Sequence, residues 1–177
     1  RNEPFPQLID AYWKSHGIPL AAINAGIGGI TTERTLWRID DVITKKTCAV
    51  FLLIGINDYR KDQRPIADIR RDYGMLVSKI LEKGVKLFLA EPLLNTPRPG
   101  FPAGDLDAFN AIISDAAQRH ALPLLRDFYG PLADSSLRIP NDGHANRCGH
   151  RVHARMVLGF LNSDWDFPLE EPCGNKD

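Results

Sequence analysis

Cys48-Ala49-Val50-Phe51-Leu52-Leu53-Ile54-Gly55-Ile56-Asn57-Asp58 is the stretch that decides the fold. It is apolar without interruption from Cys48 to Ile54, so both faces of an extended chain would be hydrophobic. A strand of that kind is buried on both sides, as in a parallel sheet covered by helices. It ends abruptly in glycine and two polar residues. In open parallel sheets, ligands bind beyond the carboxyl ends of the strands. Asn57 and Asp58 are therefore placed where chemistry is expected.

The flanking sequence agrees with this reading. Upstream, Leu8, Ile9, Tyr12 and Trp13 recur at helical spacing over residues 6–16, with Gly17 as a stop. A short apolar run, 18–23, reads as a strand ending at Asn24, and a loop leads on to Cys48. Downstream, Pro65 opens a helix with Ile66, Ile69, Tyr73, Leu76, Ile80 and Leu81 on one stripe, and Gly84 caps it. Val85 to Ala90 is a strand. Residues 92–104, rich in proline and glycine, form a loop. Asp105 can cap a helix with Leu106, Phe109, Ile113 and Ala116 inward. Leu122 to Leu125 is a fourth strand, and 147–161 a last helix with Val152, Met156 and Phe160 inward. Strands alternating with helices give an α/β domain with a parallel sheet and helices on both faces.

Composition narrows the function. The chain of 177 residues suits one domain, 1–177, with a peripheral tail over 163–177. Lys plus Arg and Asp plus Glu are equal at 22 each, so there is no electrostatic footprint for nucleic acid. No apolar run is long enough to span a bilayer. Three cysteines are too few for a disulfide scaffold, although one bridge between Cys148 and Cys173 is open to the sequence.

Three strand or loop ends carry small or amide residues. They are Asn24-Ala25-Gly26-Ile27-Gly28-Gly29, Gly55-Ile56-Asn57-Asp58 and Asn141-Asp142-Gly143-His144-Ala145-Asn146. Taken singly, each has a plain reading: a tight turn, a helix cap, a surface pair. Together they have the layout of an acyl-transfer site, where N–H donors aim at a developing oxyanion. The glycine spacing is neither a dinucleotide fingerprint nor a P-loop. His144, His150 and His153 could suggest zinc, but no carboxylate or cysteine spacing completes a site, and a solvent-facing helix start is the simpler reading. Cys148 reads as packing. Arg34, Trp37, Tyr59 and Arg60 border the expected cleft.

Asn24-x-Gly-x-x-Gly29, Gly55-x-Asn57-Asp58 and Asp142-Gly-His144-x-Asn146 resemble, in order and approximate spacing, blocks two, three and five of the SGNH (GDSL) hydrolases. The resemblance implies a three-layer sandwich with a flavodoxin-like parallel sheet. It also implies a serine ester hydrolase with no cofactor and no metal. His144 would be the general base and Asp142 its orienting partner; the Gly29 N–H and the Asn57 amide would form the oxyanion hole, and Asp58 would be a structural cap. Many members space the Asp and His by two residues, which would bring in Asn141 instead of Asp142. The family's first block, Gly-Asp-Ser on the first strand, is not in this sequence, and Gly104-Asp105-Leu106 lacks the serine. None of Ser15, Ser78, Ser114, Ser135, Ser136 or Ser163 sits in a strand-to-helix elbow. The expectation is a nucleophile and a first strand upstream of residue 1, and a substrate that is an acetyl or short acyl ester of a carbohydrate or small molecule. An inactive binding domain of the same fold is the alternative, and a flavodoxin-like nucleotide binder a weaker third.

Overall fold

The computed structural model describes residues 3–60, 64–92 and 106–162. Its helices are α1 (Phe5–Ser15), α2 (Thr32–Val42), α3 (Ile56–Arg60), α4 (Ile66–Glu82), α5 (Leu106–His120) and α6 (Arg147–Leu161). Its strands are β1 (Ala49–Leu52), β2 (Lys86–Ala90) and β3 (Leu124–Leu125). They form one parallel sheet in the order β1-β2-β3, with Phe51 opposite Phe88 and Leu89 opposite Leu124. The chain divides into two compact units. One holds Ala25–Asn95 and Pro102–Asp127, the other Arg1–Asn24, Thr96–Phe101 and Phe128–Asp177.

The first of these units contains the sheet. Leu87, Phe88, Leu89 and Ala90 of β2 are all buried, which is the two-sided burial that an all-apolar run demands. Ile69, Tyr73, Leu76, Val77 and Ile80 of α4 pack against Leu87 and Leu89, with Phe109, Ile112 and Ile113 of α5 and Ile39 of α2 in the same core. Helix α4 touches both α2 and α5, so the three helices lie side by side. Gly84 closes α4 at a φ of 69°, the left-handed turn in which glycine is least strained.

Gly55 is required twice over. Its φ is 114°, and an added Cβ would lie 1.9 Å from the Phe109 ring. The backbone leaving β1 therefore passes directly against α5, and any side chain there would collide with the core.

The other unit pairs α1 with α6. Ile9 and Trp13 of α1 are buried, as are His153, Ala154, Val157, Leu158 and Leu161 of α6. Phe5, Phe128 and His153 form an aromatic cluster in which the Phe128 and His153 rings stack at 4.3 Å.

Several expectations are corrected. Residues 18–23 do not join a sheet among the described residues. An extended apolar run becomes a strand only where a neighbour takes its backbone groups. Here the Leu20 N–H turns back to Ile18 C=O at 2.8 Å, the Ala22 N–H goes to the Asp10 carboxylate at 3.1 Å, and Ile23 is 84% exposed. The expected loop before Cys48 contains α2, capped by the Thr31 hydroxyl, with Ile39 buried and Leu36 partly buried on one face. On α6 the buried stripe is shifted by one residue, leaving Val152, Met156 and Phe160 half-buried on its flank and placing His153 in the core rather than in solvent. Ile66 is exposed. Cys148 is an exposed free thiol, neither packed nor bridged. The loop 93–104, Asp105 and the tail 163–177 lie outside the described residues.

Gly55→Ala is expected to destabilise the fold by about 3 kcal/mol, combining overpacking with a strained φ. Adding Phe109→Leu should recover part of that loss, since the two residues touch. Urea denaturation of the two single variants and the double variant measures the coupling.

Candidate active site

The second of the three sequence blocks and, from Ala25 on, the first lie in the sheet-containing unit, and a buried carboxylate ties them together. Asp58, fully buried on α3, accepts from the Thr32 N–H at 2.8 Å and from the Thr32 hydroxyl at 3.0 Å. It thereby caps the start of α2 from a different part of the chain, satisfying a helix N–H that has no partner within its own helix. Its other oxygen accepts from Arg64 at 2.9 Å, and Arg64 reaches on to Asp72 of α4 at 2.5 Å. Arg71 also donates to Asp72. Burial alone would push the Asp72 carboxyl up, but the hydrogen bonds from Arg64 and Arg71 outweigh it and hold Asp72 below the usual carboxylate range. Asp58 is a structural cap, as its place in the motif implied.

Asn57 stands beside it on the same short helix. Its Nδ2 donates to Ile30 C=O at 3.0 Å, fixing the plane of the amide against the glycine turn. That turn closes with the Ile30 N–H on Ile27 C=O at 3.2 Å, and Gly29 sits within it at a φ of 76°. A side-chain amide carries two N–H bonds. One holds the turn in place; the second makes no hydrogen bond among the described residues. Gly29 and Asn57 are thus brought together by one hydrogen bond.

The third block lies in the other unit. Residues 138–145 form a short hairpin closed by an antiparallel bridge between Arg138 and Ala145, with the Ile139 N–H on His144 C=O at 3.0 Å. Asn141 takes the left-handed conformation at its tip, with φ of 60°. His144 Nδ1 meets Asp142 Oδ1 at 2.5 Å, and the His144 backbone N–H donates to the same oxygen at 2.9 Å. That backbone bond and the ring together hold the Asp142 carboxyl below its usual range. Asp142, one residue removed, is therefore the partner of His144, and Asn141 makes the turn that permits it. An ionised carboxylate only accepts, so Nδ1 carries the proton of that bond. The His144 side chain is 76% exposed.

The hairpin is anchored to α6. Asn146 caps that helix by accepting from the Gly149 N–H at 3.1 Å, and its Nδ2 donates to Ser136 C=O and Arg138 C=O. Gly149 leaves room for the contact: a Cβ there would lie 2.2 Å from Leu137 C=O. One turn further on, His150 keeps a buried Nδ1 with no hydrogen-bond partner among the described residues. Burial, then the nearby His144, lowers its affinity for a proton. The close approach of backbone that requires Gly149 has no one-dimensional signal.

Among the described residues no serine hydroxyl bonds His144. Ser15 donates to Tyr12 C=O, Ser114 to Glu91, and Ser78 lies exposed on α4. The side chains of Tyr59 and Arg60 are outside the described residues. Trp37 is not at the strand ends but lines a groove on α2, α4 and α5.

The profile of the GDSL-like lipase/acylhydrolase family matches residues 1–152. No curated protein sequence matches. Among solved structures, the psychrotrophic esterase EstA from Pseudoalteromonas sp. aligns at a TM-score of 0.80 and 17% identity, over 93% of this chain and 88% of that one. The acetyl xylan esterase AlAXEase aligns at 0.74 and 20% identity, over 90% of this chain and 91% of that one. AlinE4, an esterase of the SGNH-hydrolase family, aligns at 0.66 and 21% identity, over 94% and 84%. At these identities the likeness is one of fold.

Arg64→Met would leave Asp58 with the Thr32 donors alone and Asp72 with Arg71 alone, at an expected cost of about 3 kcal/mol at pH 7. The depressed Asp72 contributes stability above the unfolded carboxylate pKa, and that contribution is lost as pH falls through its folded value. Most of the gap between variant and wild type should therefore persist at pH 4 and narrow only at more acid pH, measured by urea titration across that range.

Proposed function

Because the chain belongs to the GDSL-like lipase/acylhydrolase family, we propose that it is a serine esterase acting on acetyl or short acyl esters of a carbohydrate or small molecule. The observation that carries the reading is the His144–Asp142 hydrogen bond, which leaves Nε2 outward as a base. The acetyl xylan esterase among its structural relatives supports the acetyl preference. No helix among the described residues is long and apolar enough to cross a membrane.

In this mechanism His144 Nε2 takes the proton of a serine hydroxyl as its oxygen attacks the ester carbonyl. The tetrahedral oxyanion draws on the Gly29 N–H and the free N–H of Asn57. His144 then returns the proton to the departing alcohol, and water, activated by the same ring, releases the acid from the acyl-serine. Asp142 keeps the ring in the Nδ1–H tautomer and stabilises the imidazolium, without itself taking the proton. The family profile covers residues 1–152, which span parts of both compact units.

No serine of the sequence stands in a Gly-Asp-Ser block, so the nucleophile is not assigned to a residue of this sequence. The same observation favours a second reading, a non-catalytic binding domain of this fold. A fluorophosphonate label on the naturally produced protein separates them. One adduct mapped to a single serine supports the esterase; no adduct leaves the binding domain.

In the naturally produced, unlabelled protein, His144→Ala should lower kcat/KM for 4-nitrophenyl acetate by at least about 10³-fold. Asn57→Ala should lower kcat by about 10²–10³-fold with KM little changed. Retained turnover in the first variant would remove His144 as the base.

A further inference from the structure

Helix α4 carries a glycine that nothing inside the molecule explains. Gly74 lies in the middle of a 17-residue helix, where glycine costs about 1 kcal/mol relative to alanine. It does not adopt a positive φ, and a Cβ added there would meet nothing within 4 Å. Neither backbone conformation nor close packing excludes a side chain. What a Cβ would do is protrude into a groove of about 850 Å³ along the outer face of α4.

The walls of that groove have a definite chemistry. Trp37 of α2 stands at one side, 68% exposed, and Met75 of α4 is 52% exposed. Across from them, Arg119 and His120 close the end of α5, with Ser78 and Glu82 of α4 between. Lys79 lies at the rim and donates to Asp40 at 2.6 Å. Glu82 and Arg119 are of opposite sign, so the groove suits neither a polyanion nor an acidic membrane surface. Two exposed apolar side chains are also far from the roughly 800 Å² per partner, with an apolar centre, of a stable protein interface. An exposed indole face flanked by planar or hydroxylic donors and acceptors matches a neutral polyhydroxylated ring. The C–H face of a pyranose stacks on the indole, and its equatorial hydroxyls pair with guanidinium, carboxylate and hydroxyl groups.

The groove is separate from the strand-end residues. Helices α4 and α5 run into β2 and β3, so their C-terminal ends, which carry Glu82, Arg119 and His120, lie at the amino edge of the sheet. Asn57 follows β1 at the carboxyl edge. We propose that the α2–α4–α5 groove is a second, non-catalytic binding site for a carbohydrate chain, with Trp37 as its stacking platform and Gly74 as the gap that admits a sugar ring. It rests on the carbohydrate-ester reading only in the choice of sugars to test.

The test uses the whole protein, titrated calorimetrically with unesterified xylohexaose and cellohexaose, neither of which has an ester to hydrolyse. Saturable binding of at least one is expected, weakened about tenfold or more by Trp37→Ala. Gly74→Ala should raise the melting temperature and still weaken binding, an outcome that misfolding cannot produce. Turnover of 4-nitrophenyl acetate, followed in parallel, should be unchanged in both variants. Ester turnover with no sugar binding, or sugar binding indifferent to Trp37→Ala, overturns the site and leaves the esterase standing. Sugar binding that depends on Trp37 in a protein without ester turnover overturns the esterase and leaves the site. A concentration-dependent dimer in sedimentation, abolished by Trp37→Ala, would give the groove to a second copy instead and overturn the proposal.

Discussion

A single buried carboxylate organises half of the candidate chemistry. Asp58 receives the first N–H of α2, the Thr32 hydroxyl and the Arg64 guanidinium, joining three segments that the sequence holds far apart. Without it, the glycine turn before α2 and the short helix after β1 would each have to be held by their own weak local contacts. With it, the Asn57 amide meets Ile30 C=O in one fixed orientation. A preorganised donor needs no rearrangement as charge develops, and that is what makes oxyanion contacts effective. The cost is a buried ionic chain, tolerable because each carboxylate has its donors.

Much of this fold was legible in the sequence, for reasons that differ by element. β1 and β2 were readable because two-sided burial writes an unbroken apolar run. α4 and α5 were readable because one-sided burial writes a stripe. The run at 18–23 misled because apolar character says nothing about who pairs with the backbone, and here the Asp10 carboxylate takes one N–H. α2 was missed because Glu33, Arg34, Arg38, Asp40 and Asp41 crowd its outer face and dilute a stripe that rests on Leu36 and Ile39. The one-residue shift on α6 reflects His153, a polar residue stacked on Phe128, where periodicity looks for an aliphatic.

The site divides in the same way. The motifs named Gly29, Asn57, Asp142 and His144, but spacing alone left Asn141 and Asp142 open as partners of His144. The left-handed φ of Asn141 resolves it, and asparagine tolerates that conformation better than most residues. The Arg64–Asp72 extension was invisible, because ion pairs between a loop and a helix leave no period in the sequence. Trp37 was noticed as a borderer of the cleft; only with α2 folded does it belong to another face of the sheet unit.

The anchoring of the His144 hairpin has a kinetic meaning. Asn146 ties the hairpin to α6 through three hydrogen bonds, and Gly149 lets the helix backbone press against Leu137. The imidazole is thus mounted on a helix end rather than on a free loop, and its conformational search is completed during folding instead of at each turnover. An imidazole held so reaches its working position without a slow rearrangement of the backbone.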